Sequence, residues 1–233
     1  DTARIRNNID NVQAGLPPLV SNLKGRNVIV GIIDGGINWH NQDFNDANGD
    51  TRIRYIWDQR YYGQQKPLPY LYGNEWNWID INNGNCQHVE PYLGDTADYS
   101  HGTCVAGIAS GNGLSEAANP HLATTYTGVA PESELIIVRV NAISGDFGAH
   151  VADAVDYIFK KADALGKPCV INTSIGTYYG SHDGIDLTTE LIEALLNQRN
   201  GRVLVAAAGN AGNIPFHLGY SIPSDSAYTF FKY

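Results

Sequence analysis

The chain has 233 residues, a net charge of −9 at pH 7, 43% hydrophobic residues and 17% charged residues. That length supports one domain with a substantial core, and the balance argues against disorder. The acidic surplus disfavours a nucleic-acid surface, which needs clustered Lys and Arg, and no apolar run approaches the roughly 20 residues that cross a bilayer.

In chain order, residues 1–26 are polar, punctuated by Gly and Pro, and read as an N-terminal arm. Val28-Ile29-Val30-Gly31-Ile32-Ile33 is short, apolar and β-branched, as expected of a strand buried on both faces of a parallel sheet. Asp34-Gly35-Gly36 ends it. Residues 50–100 are rich in Tyr, Trp, Gly, Pro and Asn and read as a long insertion, irregular or hairpin-like. Its aromatics either pack over the sheet or line a cleft, and packing is favoured. His101 to Ser110 is small and helix-compatible. Leu135 to Val140 reads as a strand. Val151, Ala154, Val155, Ile158, Phe159, Ala162 and Leu165 recur at helical spacing. Pro168 to Asn172 is a further strand, Leu187 to Leu196 a further helix, and Val203 to Ala208 a last strand. Apolar strands alternating with helices imply an α/β fold built on a parallel sheet. Chemistry in such sheets sits beyond the carboxyl ends of the strands. That rule singles out Asp34, the segment after Ile171, and Asn210.

Each of these is modest alone. Asp-Gly after a strand is usually a turn. A carboxylate there can also orient a histidine. His101, at a helix start, is either a surface histidine or a general base. Asn210, in Gly209-Asn210, is an ordinary turn residue or an amide donor to an oxyanion.

Taken together and in order, the motifs are more specific. Val30 to Ile37 resembles the aspartate motif of the subtilisin-like serine proteases, the subtilases. His101-Gly102-Thr103-Cys104-Val105-Ala106-Gly107 is similar to their histidine motif. Gly128-Val129-Ala130-Pro131 resembles a further family segment. Asn172-Thr173-Ser174-Ile175-Gly176 is similar to the substrate-binding strand, and Val205 to Asn210 to the oxyanion-asparagine segment. The order Asp, then His, is the subtilisin order. Two positions depart from the pattern. Gly35 stands where Ser or Thr is usual, and Cys104 where a second His is frequent.

The resemblance implies a three-layer fold with a central parallel sheet and helices on both faces. Residues 1–233 would form part of a subtilase catalytic domain, with 1–26 as its arm and 50–100 as its insertion. It implies peptide-bond hydrolysis in which Asp34 orients His101, His101 serves as base and Asn210 stabilises the oxyanion. Ser174, Ile175 and Gly176 would bind an extended peptide or protein substrate. The family's nucleophile lies in Gly-Thr-Ser, which is absent from these 233 residues. Ser221, Ser224 and Ser226 lack the flanking glycine and small-residue helix. The serine, its helix and the remainder of the catalytic domain are therefore expected beyond Tyr233, and the 233 residues alone are expected to be inactive and to expose apolar sheet surface. The alternative is an inactive subtilase fold used for binding or regulation. Subtilases are mostly secreted or cell-envelope proteins.

No redox or organic cofactor is implied. A structural calcium is compatible with the family, and Asp46-Ala47-Asn48-Gly49-Asp50 faintly resembles a calcium loop, though an Asn-Gly hairpin turn explains it better. Cys86, His88, His101 and Cys104 are zinc-competent residue types at spacings that match no common zinc module, so no metal site is assigned. His182-Asp183 reads as a loop rather than a dyad. The three cysteines are too few and uneven for a disulfide framework. The absence of Met and the start at Asp1 suggest a fragment or processed chain.

Overall fold

The computed structural model describes residues 2–90, 100–116, 126–143, 145–178 and 183–214. The elements in order are α1 (Thr2–Arg6), α2 (Ile9–Ala14), β1 (Ile29–Asp34), β2 (Ile53–Asp58), β3 (Asn74–Asn77), α3 (Trp78–Asn82), α4 (His101–Ser110), β4 (Glu134–Arg139), α5 (Phe147–Ala164), β5 (Cys169–Thr173), α6 (Leu187–Asn197) and β6 (Arg202–Ala206). The six strands form one sheet in the order β3-β2-β4-β1-β5-β6. Every pairing is parallel except β2 with β3. The expected parallel sheet thus carries one antiparallel edge strand.

Alternation along the strands serves both faces. Ile29, Ile33, Ile136, Val138 and Ile171 face α5, with Val155, Ile158 and Phe159 packed over them. Val30, Ile32, Leu135 and Ile137 face the opposite way, where Ala106 of α4 and Ile81 of α3 close the second core. Helices therefore cover both faces, as a three-layer fold requires. The α4 side is covered unevenly. Val170, Val203 and Val205 on β5 and β6, with Ile108 on α4, remain exposed. Among the described residues no helix is long and apolar enough to cross a membrane.

Two stretches hold more regular structure than their sequence suggests. The arm holds two short helices, α1 and α2. Its Arg4 and Gln13 side chains donate to the Gly128 carbonyl, at 3.2 and 2.8 Å, which ties the arm to the body. The aromatic-rich stretch, expected to be irregular or hairpin-like, contributes the antiparallel pair β2 and β3, with β2 inside the sheet beside β4. Its flanking polar groups are satisfied internally, which is why a strand of mixed polarity is stable there. The Arg52 guanidinium donates to the carbonyls of Asp43, Ser110 and Ser133 at 2.6–2.7 Å and of Asn45 at 3.3 Å. Burial lowers its pKa to about 10. Arg54 pairs with Glu134 at 2.5 Å. Some of the described aromatics pack, while Tyr61, Tyr62 and Tyr72 line a cavity. Trp57 stacks obliquely on Tyr70, Tyr72 and Tyr157 with ring centroids 4.8–5.1 Å apart. Tyr70 and Tyr72 donate to Asp156 and Asp153 of α5, both at 2.8 Å.

The loop after Phe44 is a tight turn. Asp46 Oδ1 accepts from the Asn48 and Asp50 amides, and Asn45 bridges Thr51. His182, Ser221, Ser224 and Ser226 lie outside the described residues.

Candidate active site

Asp34 is the last residue of β1, which has β4 on one side and β5 on the other. Its carboxylate is buried, 1% exposed. Burying a carboxylate costs free energy unless donors surround it. Here the Gly35 amide donates to Oδ1 at 2.7 Å, and His101 Nδ1 lies 2.8 Å from Oδ1 and 3.0 Å from Oδ2. Nδ1 therefore carries the proton, and the opposite ring nitrogen, Nε2, is left as a base. The His101 side chain is half exposed, so that nitrogen is reachable from solvent. Gly35 has open space where a Cβ would stand. Its departure from the usual Ser or Thr is thus not imposed by crowding.

His101 is the first residue of α4 and is held by close contacts between that helix and the turn after β1. A Cβ on Gly102 would lie 2.1 Å from the Gly36 carbonyl oxygen. The Thr103 hydroxyl accepts from the Asn38 amide at 2.7 Å and donates to Glu90 at 2.5 Å, while Glu90 also accepts the Thr103 amide at 3.0 Å. A carboxylate on an amide in the first turn is favourable with the helix dipole.

The segment after β5 continues the sheet end. Among the described residues, the amides of Ser174, Ile175 and Gly176 have no backbone acceptor. The Ser174 hydroxyl accepts from Asn172 at 2.8 Å. Asn210 lies beyond β6, and its side chain is exposed. The backbone amides of Asn210 and Ala211 both donate to the Tyr178 hydroxyl, at 2.8 and 2.9 Å. Gly209 passes so close to Tyr178 that a Cβ would lie 2.3 Å from its hydroxyl, and its φ of 92° is one that glycine adopts readily. Asp34, Ser174 to Gly176 and Asn210 therefore occupy the carboxyl ends of three adjacent strands. Direct contact is made between Asp34 and His101, and Asn210 hydrogen-bonds to neither among the described residues.

Sequence reasoning missed three residues that support this arrangement: Tyr178, Glu90 and His88. The side chain of His88 is completely buried beside Asp58. His88 Nδ1 lies 2.9 Å from Asp58 Oδ2, and Nε2 lies 3.2 Å from the Ile37 amide. Burial would raise the Asp58 pKa, but the hydrogen bonds from His88 and Arg139 and the Arg139 charge outweigh it and hold it below the usual carboxylate range. No chain-local signal marks these residues, since their partners are distant in sequence. His88 and His101 do not share a metal cluster, and among the described residues no group of three or more His, Cys, Asp or Glu is placed to hold an ion. A cavity of about 570 Å³ opens near the ends of β2 and β4, lined by Gln59, Arg60, Tyr72, Asn141 and His150 among others. It is lined by none of Asp34, His101 or Asn210.

Known proteins are similar to this chain in sequence and in fold. The chain is 30% identical over 158 residues to C5a peptidase of Streptococcus pyogenes, covering 66% of this chain and 12% of that protein. It is 27% identical over 214 residues to the PI-type proteinase of Lactococcus lactis subsp. cremoris, covering 88% of this chain and 10% of that one. The chain thus spans only about a tenth to an eighth of the length of the curated relatives it matches. Among solved structures, the Clostridium perfringens CspB protease is 32% identical with a TM-score of 0.62, covering 82% of this chain and 38% of that one. Sphericase, at 22% identity and a TM-score of 0.53, shares the fold, with 88% of this chain and 52% of that one covered. A family model described as the subtilase family matches residues 25–230, and the chain belongs to that family.

Proposed function

We propose that the complete protein is a serine endopeptidase of the subtilisin type. The observation that carries this reading is the Asp34–His101 pair, a buried carboxylate holding Nδ1 of a half-exposed imidazole at 2.8 Å. In the proposed cycle His101 Nε2 removes the proton from a serine hydroxyl as its oxygen attacks the substrate carbonyl. The imidazolium is stabilised by Asp34. It then gives its proton to the leaving amine, and water hydrolyses the acyl-enzyme by the same route. Asn210 donates to the tetrahedral oxyanion, a role for which its position beyond β6 is suited. Ser174 to Gly176 pair with an extended peptide, adding it to the sheet end as a strand. The serine is assigned to sequence beyond these 233 residues, because no Gly-Thr-Ser occurs within them.

The test is His101→Ala in the complete protein, assayed against a casein or peptide substrate. Turnover should be lost. Undiminished hydrolysis by the variant would overturn the assignment of His101 as base.

A further inference from the structure

The described residues hold two Asp–His pairs, and only one opens to solvent. The sealed pair, Asp58 and His88, has no access to a substrate, so its role must lie in what it holds. We propose that His88, braced by Asp58, is a positioning residue that fixes the turn carrying Asp34 and thereby sets the Asp34–His101 geometry. This proposal rests on the endopeptidase reading above.

The argument starts from donors and acceptors. A backbone amide can only donate, so His88 Nε2, 3.2 Å from the Ile37 amide, must accept. The ring proton therefore sits on Nδ1 and is donated to Asp58 Oδ2 at 2.9 Å. Asp58 orients the ring as Asp34 orients His101, but the free nitrogen here is spent on the backbone. Asp58 is itself fixed. Its Oδ2 also accepts from Arg139 at 3.0 Å, and its Oδ1 accepts the Arg60 amide at 2.9 Å.

His88 holds the turn at three points. Its ring packs on Gly36, where a Cβ would stand 2.9 Å from Nε2. It also accepts the Ile37 amide, and its carbonyl accepts from Trp39 Nε1 at 3.0 Å. The other side of the same turn touches the histidine helix, since the Gly36 carbonyl sits against Gly102. The chain of contacts from Asp58 through His88 and Gly36 to Gly102 ends one residue from His101. Asp58 does a second service. Asp34, Arg139 and Asp58 share one row of the sheet on adjacent strands, with side chains on the same face. Neighbouring strands are only about 4.8 Å apart, so Arg139 is within reach of either aspartate. Its hydrogen bond to Asp58 leaves the Asp34 carboxylate to His101.

The experiment compares three substitutions in the complete protein, reading kcat and KM separately on a peptide substrate. His88→Gln places an amide oxygen near the Nε2 position and can still accept from Ile37. His88→Asn restores only the donor toward Asp58. His88→Phe restores neither. The expected order of kcat is wild type, Gln, Asn, Phe, with Phe lower by about tenfold to a hundredfold and KM within about twofold of wild type, because misplacement near 1 Å costs on that scale. Where Phe does not fold, the Gln–Asn ranking decides. Asn equal to or better than Gln, or a loss confined to KM, would overturn the positioning role. His101→Ala in the same assay separates the two ideas. If it stays active, the endopeptidase reading fails. If it is inactive while His88→Phe keeps wild-type kcat, only the positioning proposal fails.

Discussion

Gly102→Ala tests how far the active geometry depends on one close approach. In an unconstrained helix this change should stabilise by about 1 kcal/mol, because alanine is the better helix former. Here the new Cβ would lie 2.1 Å from the Gly36 oxygen and 3.2 Å from the Asp34 Cβ. Carbon and carbonyl oxygen in weak contact stand about 3.3 Å apart, so turn and helix must part by about 1.2 Å. A displacement of that size takes the 2.8 Å contact between His101 and Asp34 out of hydrogen-bond range. The expected loss in kcat/KM is roughly a hundredfold, about 2.7 kcal/mol of transition-state stabilisation. Gly31→Ala is the matched control. Its Cβ would meet Ile158 Cγ2 at 2.7 Å, in the core beneath α5 and away from the pair. Overpacking there should cost about 1–3 kcal/mol of stability with little change in activity per folded molecule. Peptide hydrolysis and denaturant unfolding on both variants decide the matter. A folded Gly102→Ala variant with wild-type kcat/KM would refute the reasoning.

Two further outcomes concern buried groups. Burial would raise the Glu134 pKa, but Arg54 and Lys167 outweigh it and hold the carboxyl below its ordinary value. Its folded pKa is thus depressed, so its contribution is present above the unfolded value near about 4.3 and is lost as pH falls through the folded value. Glu134→Gln should therefore be less stable than wild type at pH 7, by about 1.5–3 kcal/mol, the range for a hydrogen bond to a charged group. The gap should narrow as pH falls below the unfolded value and through the depressed folded one in urea unfolding series; a gap independent of pH would contradict this. Burial also pushes the Cys86 and Cys169 thiols up to about 12, whereas Cys104 is exposed. A thiol reagent at pH 8 should modify one of the three cysteines in the folded protein and all three after denaturation. Fast modification of all three in the native state would show that the two are not sealed.

Much of this structure is legible along the chain where burial is two-sided. The runs at β1 and β4 are mostly apolar because both faces are covered, and the spacing from Val151 to Leu165 matches the face α5 presents to the sheet. β2 is hard to see for the opposite reason. Arg52, Arg54 and Asp58 make Ile53–Asp58 look like a surface segment, and only their long-range partners make it an inner strand. α1 and α2 are too short to show a period. At the site, Asp34, His101 and Asn210 are marked by their immediate neighbours, glycines and other small residues. His88 carries no such mark, since the Asp58 carboxylate and the Ile37 amide are 30 and 51 residues away. Tyr178 is equally silent, because its hydroxyl serves amides 32 and 33 residues later.

The strand order also distributes rigidity. β1 is hydrogen-bonded along both sides and carries Asp34, whose carbonyl accepts the Val140 amide at 3.0 Å. β6 has one neighbour among the described strands and leads to Asn210, whose backbone N–H donates to the Tyr178 hydroxyl. Local opening free energies rise from edges and loops toward doubly paired strands. The Asp34 carboxylate is therefore anchored on a doubly paired strand, while the Asn210 side chain, assigned to the oxyanion in the proposed cycle, lies beyond an edge strand, where local opening costs less. On the proposed reading, a substrate strand laid along Ser174 to Gly176 would add backbone partners at the sheet end that also carries Asn210, so that substrate binding and the steadying of that residue become linked.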